Sequence, residues 1–137
     1  MRTAIIVDID GTLAKMNGRG PFDWDRVGED KVNEPIRTLV NLYHMAGRHI
    51  IIFSGRDGCC KPQTTSWLVL NRIPFHDLYM REEGNNEKDA IIKRRLFDTH
   101  VKDNFIVEVV IDDRDQVVKM WREDLGLTCL QVAYGNF

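Results

Sequence analysis

The sequence predicts an α/β protein: a Rossmann-like, doubly wound sheet of about five mainly parallel strands, with helices on both faces and no large cap domain. Three observations carry this. Apolar runs of strand length alternate with segments of helical periodicity. The strand runs are continuously apolar, as expected for a sheet covered on both faces. The stretch between Leu13, a few residues past the first strand, and the first long helix is only about twenty residues, short for a cap domain.

Taken in order, residues 3–8 read as a buried strand. Residues 10–33 are polar and rich in Gly and Asp, and read as a long loop with at most one short element. Asn33-Glu34-Pro35 is a helix start, with Asn33 as N-cap and Pro35 in the first turn; Ile36, Leu39, Val40 and Tyr43 follow at helical spacing, and Gly47 ends the helix. His49 to Phe53 is a second buried strand, closed by Ser54-Gly55-Arg56. Pro62 opens a helix carrying Trp67, Leu68 and Leu70. A short third strand falls around Leu78-Tyr79-Met80, and Arg81 to Asn86 is a turn. A helix from about Glu87 to Val101 faces the core with Ile91, Ile92, Leu96 and Phe97, so Lys93-Arg94-Arg95 reads as a solvated face. Ile106 to Ile111 is a fourth strand, Asp115 to Asp124 a helix capped by Gly126, and Leu127 to Val132 the last strand.

The chain has 137 residues and reads as one domain over 1–137. Its 43% hydrophobic and 29% charged residues are an ordinary globular balance. A formal net charge of −2 is not that of a protein that coats nucleic acid, so any such contact is expected to be local. Cys59, Cys60 and Cys129 match neither a disulfide framework nor a zinc spacing. The N-terminus has no signal-peptide layout and no apolar run approaches membrane-spanning length. The expectation is a cytoplasmic protein with no membrane contact, in the host cytoplasm were it a phage protein.

In such sheets ligands bind at the carboxyl ends of the strands. Asp8-Ile9-Asp10-Gly11-Thr12-Leu13 stands at the exit of the first strand. Residues two apart in an extended backbone share a side, so Asp8 and Asp10 can address one group of atoms, and Gly11 lets the chain turn away. One carboxylate can attack phosphorus while the other handles the leaving-group proton. Asp112-Asp113 follows the fourth strand. Alone it could be an N-cap pair; beside Asp8 and Asp10 it reads as further ligands for a hard divalent cation, Mg2+ above all. Asp8 would offer an oxygen and Asp10 its backbone carbonyl. Ser54 can donate to a phosphoryl oxygen, and Lys88 can hold Asp8 ionised. Arg19, between glycines, and Arg56 offer guanidinium forks that match phosphate geometry.

The set Asp8-Ile9-Asp10-Gly11-Thr12, Ser54, Lys88 and Asp112-Asp113 resembles the motifs of the haloacid dehalogenase superfamily of aspartyl-phosphate phosphatases. The similarity goes further. Leu13 to Asp23, Phe53-Ser54-Gly55-Arg56, Met80 to Gly84, Ile111 to Arg122 and Gln131 to Phe137 resemble the 3′-phosphatase domain of phage polynucleotide kinase. The resemblance implies a magnesium-dependent phosphatase acting on 3′-phosphorylated DNA or RNA ends. Asp8 would be the nucleophile and Asp10 the acid/base, with Ser54 and Lys88 also catalytic. Thr12, Arg19, Gly55 and Arg56 would contact substrate, and Asp8, Asp10, Asp112 and Asp113 the metal. One departure stands out: that family tends to carry an acidic residue shortly before the motif lysine, where this chain has Asn85-Asn86-Glu87-Lys88. No Gly-x-x-x-x-Gly-Lys-Ser/Thr string is present, so no 5′-kinase activity is expected. A separate 5′-kinase or ligase partner, and self-association, stay open. The alternatives are a small-molecule phosphatase of the same superfamily, acting on nucleotide or sugar phosphates, and a non-catalytic module that holds nucleic-acid ends.

Overall fold

The computed structural model describes residues 1–15, 19–20 and 22–137; Met16, Asn17, Gly18 and Pro21, which flank the predicted Arg19, lie outside the described residues. Numbered in chain order, the strands β1 (Arg2–Val7), β4 (His49–Asp57), β5 (Asp77–Arg81), β6 (Phe105–Asp112) and β7 (Cys129–Gln131) form one sheet. Its order is β5-β4-β1-β6-β7 and every pairing is parallel. A two-residue ribbon, β2 (Ala14–Lys15) with β3 (Lys31–Val32), and a 3₁₀ turn over Trp24–Glu29 fill the stretch before the first helix. The expected long loop therefore carries three short elements, and its described residues form no cap domain.

Among the described residues four α-helices cover the sheet: α1 (Glu34–Met45), α2 (Lys61–Leu70), α3 (Asp89–His100) and α4 (Asp115–Lys119). Strand alternation divides the core in two. Ile5, Val7, Ile50, Ile52 and Ile111 pack beneath Val40 of α1 and Trp67 and Leu68 of α2. Ala4, Ile6, Ile51, Phe53 and Val110 face Phe97 of α3 and Val117, Val118, Met120 and Trp121 on and after α4. The sheet is thus doubly wound, as the continuous apolar strands require. The chain moves outward from β1 through β4 to β5, then crosses back to β6. That reversal places the topological switch point at the carboxyl ends of β1 and β6.

β4 continues through the expected closing turn Ser54-Gly55-Arg56 to Asp57, α3 starts at Asp89, β7 is shorter than expected, and two helix ends are built otherwise. Asn33 does precede α1, but its side chain caps nothing there; Nδ2 donates to the Thr12 carbonyl at 2.9 Å and ties the first motif to the helix start. The helix expected over Asp115–Asp124 is regular only to Lys119 and widens into a π turn over Met120–Asp124, which Gly126 follows at φ +65°. The wider turn carries the fully buried Trp121.

β6 holds one irregularity. Ala4 pairs with Val107 but Ile5 with Val109, so Glu108 is an extra residue in the ladder. Val107 and Val109, two apart, consequently pack on opposite faces of the sheet.

Candidate active site

Asp8 leaves β1 with its N–H on the Ile111 carbonyl at 3.0 Å, which brings it beside the end of β6. There Asp8, Asp112 and Asp113, all buried, each offer an oxygen within 4.8 Å of the others. Gly11 makes this approach possible. Its φ is +79°, and a Cβ there would lie 2.1 Å from Asp113 Oδ2. Lys93 reaches in from α3, donating Nζ to Asp8 Oδ1 at 2.8 Å and to Asp112 Oδ2 at 3.0 Å. The Thr12 hydroxyl donates to Asp8 Oδ2 at 3.0 Å, and Trp121 Nε1 to Asp112 Oδ2 at 3.2 Å.

The electrostatics of this cluster are unbalanced. Three carboxylates face one ammonium. Burial pushes the Asp8 carboxyl well above the usual range; Asp112 and Asp113 raise it further, and Lys93 opposes them. Asp113 is likewise pushed up, by burial first. For Lys93 burial acts to depress the ammonium, but Asp112, Asp8 and Asp89 outweigh it and hold the lysine above its ordinary value. With all three ionised, the carboxylates carry two formal negative charges more than the ammonium offsets, and the donors are all hard oxygens. That set fits magnesium in both charge and ligand type.

The lysine differs from the one expected. Lys88 is exposed and serves as the N-cap residue of α3. Lys93 is 1% exposed, and is not part of a solvated face. Asp89, Lys93 and Phe97 lie four residues apart, on one helix stripe that also faces the core through Ile92. Only Arg94 and Arg95 of the basic triplet point outward, pairing with Asp98 and Glu87. With Lys93 in place the apparent departure also disappears, because Asp89 stands one turn before it. Asp89 packs on Gly55, where a Cβ would lie 1.9 Å from Asp89 Oδ1. Arg81 at 2.9 Å and Arg114 at 3.4 Å hold Asp89. Although burial works against it, Lys93, Arg114 and Arg81 lower its carboxyl below the ordinary value.

The second carboxylate of the first motif sits in a different network. Arg56 forks Asp10 with Nε at 3.0 Å and Nη2 at 2.8 Å. Arg19 Nη2 reaches Asp10 Oδ1 at 3.1 Å. The expected phosphate forks are thus taken up by carboxylates. Both arginines also bind Asp30, a residue the sequence did not single out. Ser54 is buried at the end of β4, and its Oγ accepts from the Arg56 N–H at 3.1 Å. Thr12 contacts Asp8 itself, and Gly55 makes room for Asp89.

The chain end closes one side. Val132 N–H donates to the Asp112 carbonyl at 3.0 Å and Asp115 N–H to the Gly135 carbonyl at 2.8 Å. A Cβ on Gly135 would lie 2.0 Å from the Asp113 carbonyl oxygen, and the Arg114 guanidinium sits 4.7 Å above the Phe137 ring.

A doubly wound parallel sheet with an Asp-x-Asp-Gly-Thr turn, a serine, a buried lysine and paired aspartates at its carboxyl ends defines a phosphatase of the haloacid dehalogenase type, a phosphoric monoester hydrolase. The family model for the polynucleotide kinase PNKP phosphatase domain matches residues 2–137, and the chain belongs to that family. It is 37% identical to a chain of the Pnkp1/Rnl/Hen1 complex, with a TM-score of 0.97, covering 100% of this chain and 48% of that one. A protein of Autographa californica nuclear polyhedrosis virus, whose inferred name is bifunctional polynucleotide kinase/RNA ligase, is 33% identical over 123 residues, 88% of this chain and 18% of its own length. The chain therefore spans less than half the length of these relatives. The class C acid phosphatase of Bacillus anthracis shares the fold, with a TM-score of 0.66 at 19% identity, over 85% of this chain and 53% of that one. Among the described residues no helix is long and apolar enough to cross a membrane.

Proposed function

We propose that the chain is a magnesium-dependent polynucleotide 3′-phosphatase that works through an aspartyl-phosphate on Asp8. The observation that carries this is the pairing of Asp8, bound by Lys93 and Thr12, with a differently held Asp10 two residues on. An Asp8 oxygen attacks the terminal phosphorus, and the bond from phosphorus to the 3′ oxygen breaks as Asp10 gives that oxygen its proton. Water then attacks the phosphorus of the aspartyl-phosphate. Asp10 takes the water proton, and inorganic phosphate leaves as the Asp8 carboxylate reforms. Lys93 and Thr12 orient the nucleophile. The Ser54 hydroxyl, whose oxygen accepts from the Arg56 N–H, would donate its proton to a transferring phosphoryl oxygen. Asp8, Asp112 and Asp113, with the Asp10 carbonyl, would hold magnesium, whose charge screens the repulsion between carboxylate and phosphate.

A polymer end is the favoured substrate because, among the described residues, only the β2–β3 ribbon and the 3₁₀ turn over Trp24–Glu29 stand between the first motif and α1, with no cap domain over the site. The relatives named for polynucleotide kinase and RNA ligase support the same choice, and make a 5′-kinase or a ligase the natural functional partner. The test is phosphate release from a 3′-phosphorylated oligonucleotide, its 5′-phosphorylated twin and a mononucleotide 3′-phosphate, each with magnesium and with a chelator. Magnesium-dependent release from the 3′-phosphorylated oligonucleotide alone is expected. Equal or faster release from the mononucleotide would move the substrate to small-molecule phosphates.

A further inference from the structure

Asp30 is buried at the end of the 3₁₀ turn, and its position is fixed from two sides. Trp67 Nε1 of α2 donates to its carbonyl at 2.8 Å. Its carboxylate meets Arg19 Nε at 2.9 Å and Nη2 at 3.0 Å, and Arg56 Nη2 at 2.8 Å. Each arginine thus forks one aspartate and reaches across to the other: Arg56 forks Asp10, Arg19 forks Asp30. Arg56 Nη1 is further tied to Thr64 Oγ1 at 3.1 Å. The four charges balance. Arg19, Arg56 and Asp30 have side chains with 0% exposure, whereas Asp10 is 34% exposed. The square has one open corner, and that corner is the acid/base.

We propose that Asp30 is a positioning residue for proton transfer: it holds Arg19 and Arg56 so that their remaining N–H groups aim the Asp10 carboxyl at the leaving oxygen. This rests on the acid/base role given to Asp10 above. The physical reason is geometric. A guanidinium has five donors in a rigid fork, so an arginine anchored through one edge presents its other edge at a fixed angle. Without Asp30, Arg19 loses its own fork and, among the described residues, keeps only the Gly20 carbonyl, Arg56 keeps only Thr64, and Asp10 faces two arginines each held by a single neutral contact. Misplacing a proton donor costs most where the leaving group needs the proton.

The test compares two leaving groups in wild type and Asp30→Asn, with magnesium. An alkyl phosphate, either a 3′-phosphorylated oligonucleotide or a nucleoside 3′-phosphate, leaves as an alkoxide that requires a proton; p-nitrophenyl phosphate leaves as a stable phenolate. Asp30→Asn should lower kcat on the alkyl phosphates by about 10- to 100-fold, with KM little changed, and on the aryl phosphate by no more than about threefold. Equal losses on both would overturn the proposal and leave Asp30 as a purely structural anchor. Thermal melting checks the fold. Should the Asn variant not fold, Asp30→Glu, which keeps the charge but displaces it by one methylene, should show a smaller loss of the same alkyl-selective kind; an unchanged alkyl-to-aryl ratio would overturn the proposal. Preference of the wild type for the oligonucleotide or the nucleoside phosphate decides the substrate reading separately, since both leaving groups need the proton.

Discussion

Replacing Lys93 by methionine is the sharpest test of how the site is assembled. The substitution keeps most of the volume and removes the ammonium that binds Asp8 at 2.8 Å and Asp112 at 3.0 Å. The lysine is 1% exposed, so solvent cannot replace it. Breaking a buried pair from one side typically costs about 3–5 kcal/mol, because the remaining charge stays buried. For a chain of this size that corresponds to a fall of roughly 10–17 °C in melting temperature. The pH dependence has a definite sign. Lys93 is held above its ordinary value, so its contribution is fully present at neutral pH and is lost only in strongly alkaline solution. In the variant, the crowded carboxylates relieve one another by taking up protons, so the deficit should shrink as the solution is acidified. Phosphate release should fall by two orders of magnitude or more, on the order of what removing a catalytic electrostatic contact costs. Lys88→Met is the control: that side chain is exposed, and the change should stay within about 0.5 kcal/mol. Differential scanning fluorimetry in chelator and a phosphate-release assay read both. A stable, active Lys93→Met protein, or an inactive Lys88→Met one, would refute the assignment.

Three further outcomes follow from the same geometry. Asp113→Asn removes one of three crowded carboxylates, so it should raise the melting temperature in chelator by about 2–5 °C and abolish the rise that magnesium gives the wild type; a lower melting temperature in chelator would contradict the crowding argument. Asp8 and Asp113 have raised folded-state values, so protons compete with metal, and the magnesium concentration for half-saturation should climb as the pH falls from about 7 to about 5; a flat titration would count against these ligands. Asp8→Asn should lower activity at least about a thousandfold, and retention of full activity would exclude the covalent route.

Much of the fold was legible because buried parallel strands and amphipathic helices leave strong local patterns. The strands around Ile5, Ile51 and Val110 and the helices at Pro35 and Pro62 lie where periodicity placed them. Asp8, Asp10, Ser54, Asp112 and Asp113 were visible because strand exits bring residues distant in sequence to one edge. Lys93 was missed for a specific reason: a lysine between two arginines looks like a solvated face, although its four-residue spacing from Asp89 and Phe97 puts it on the core stripe. Asp30 left no signal at all. It lies among Gly28, Glu29 and Lys31, and acquires its partners only when the 3₁₀ turn docks on α2 and β4. The arginines were recognised as functional types, but composition cannot say whether a fork meets a phosphate or a carboxylate.

The extra residue in β6 has a consequence for the alignment of the acidic cluster. If β6 slipped by one residue to pair without the bulge, Ile111 instead of Asp112 would come level with Asp8, and each later side chain would change face. The slipped ladder would also turn Glu108 inward, opposite Ile5 in the apolar layer. Burying an unpaired carboxylate there is what makes that register unfavourable, and Arg48, at 2.6 Å, holds Glu108 on the outside. A half-exposed surface glutamate, about 13 Å along the strand from Asp112, thereby guards the gathering of the three aspartates. Glu108→Val would lift that guard. It should leave a folded chain in which part of the population has misplaced aspartates, seen as a weakened thermal response to magnesium.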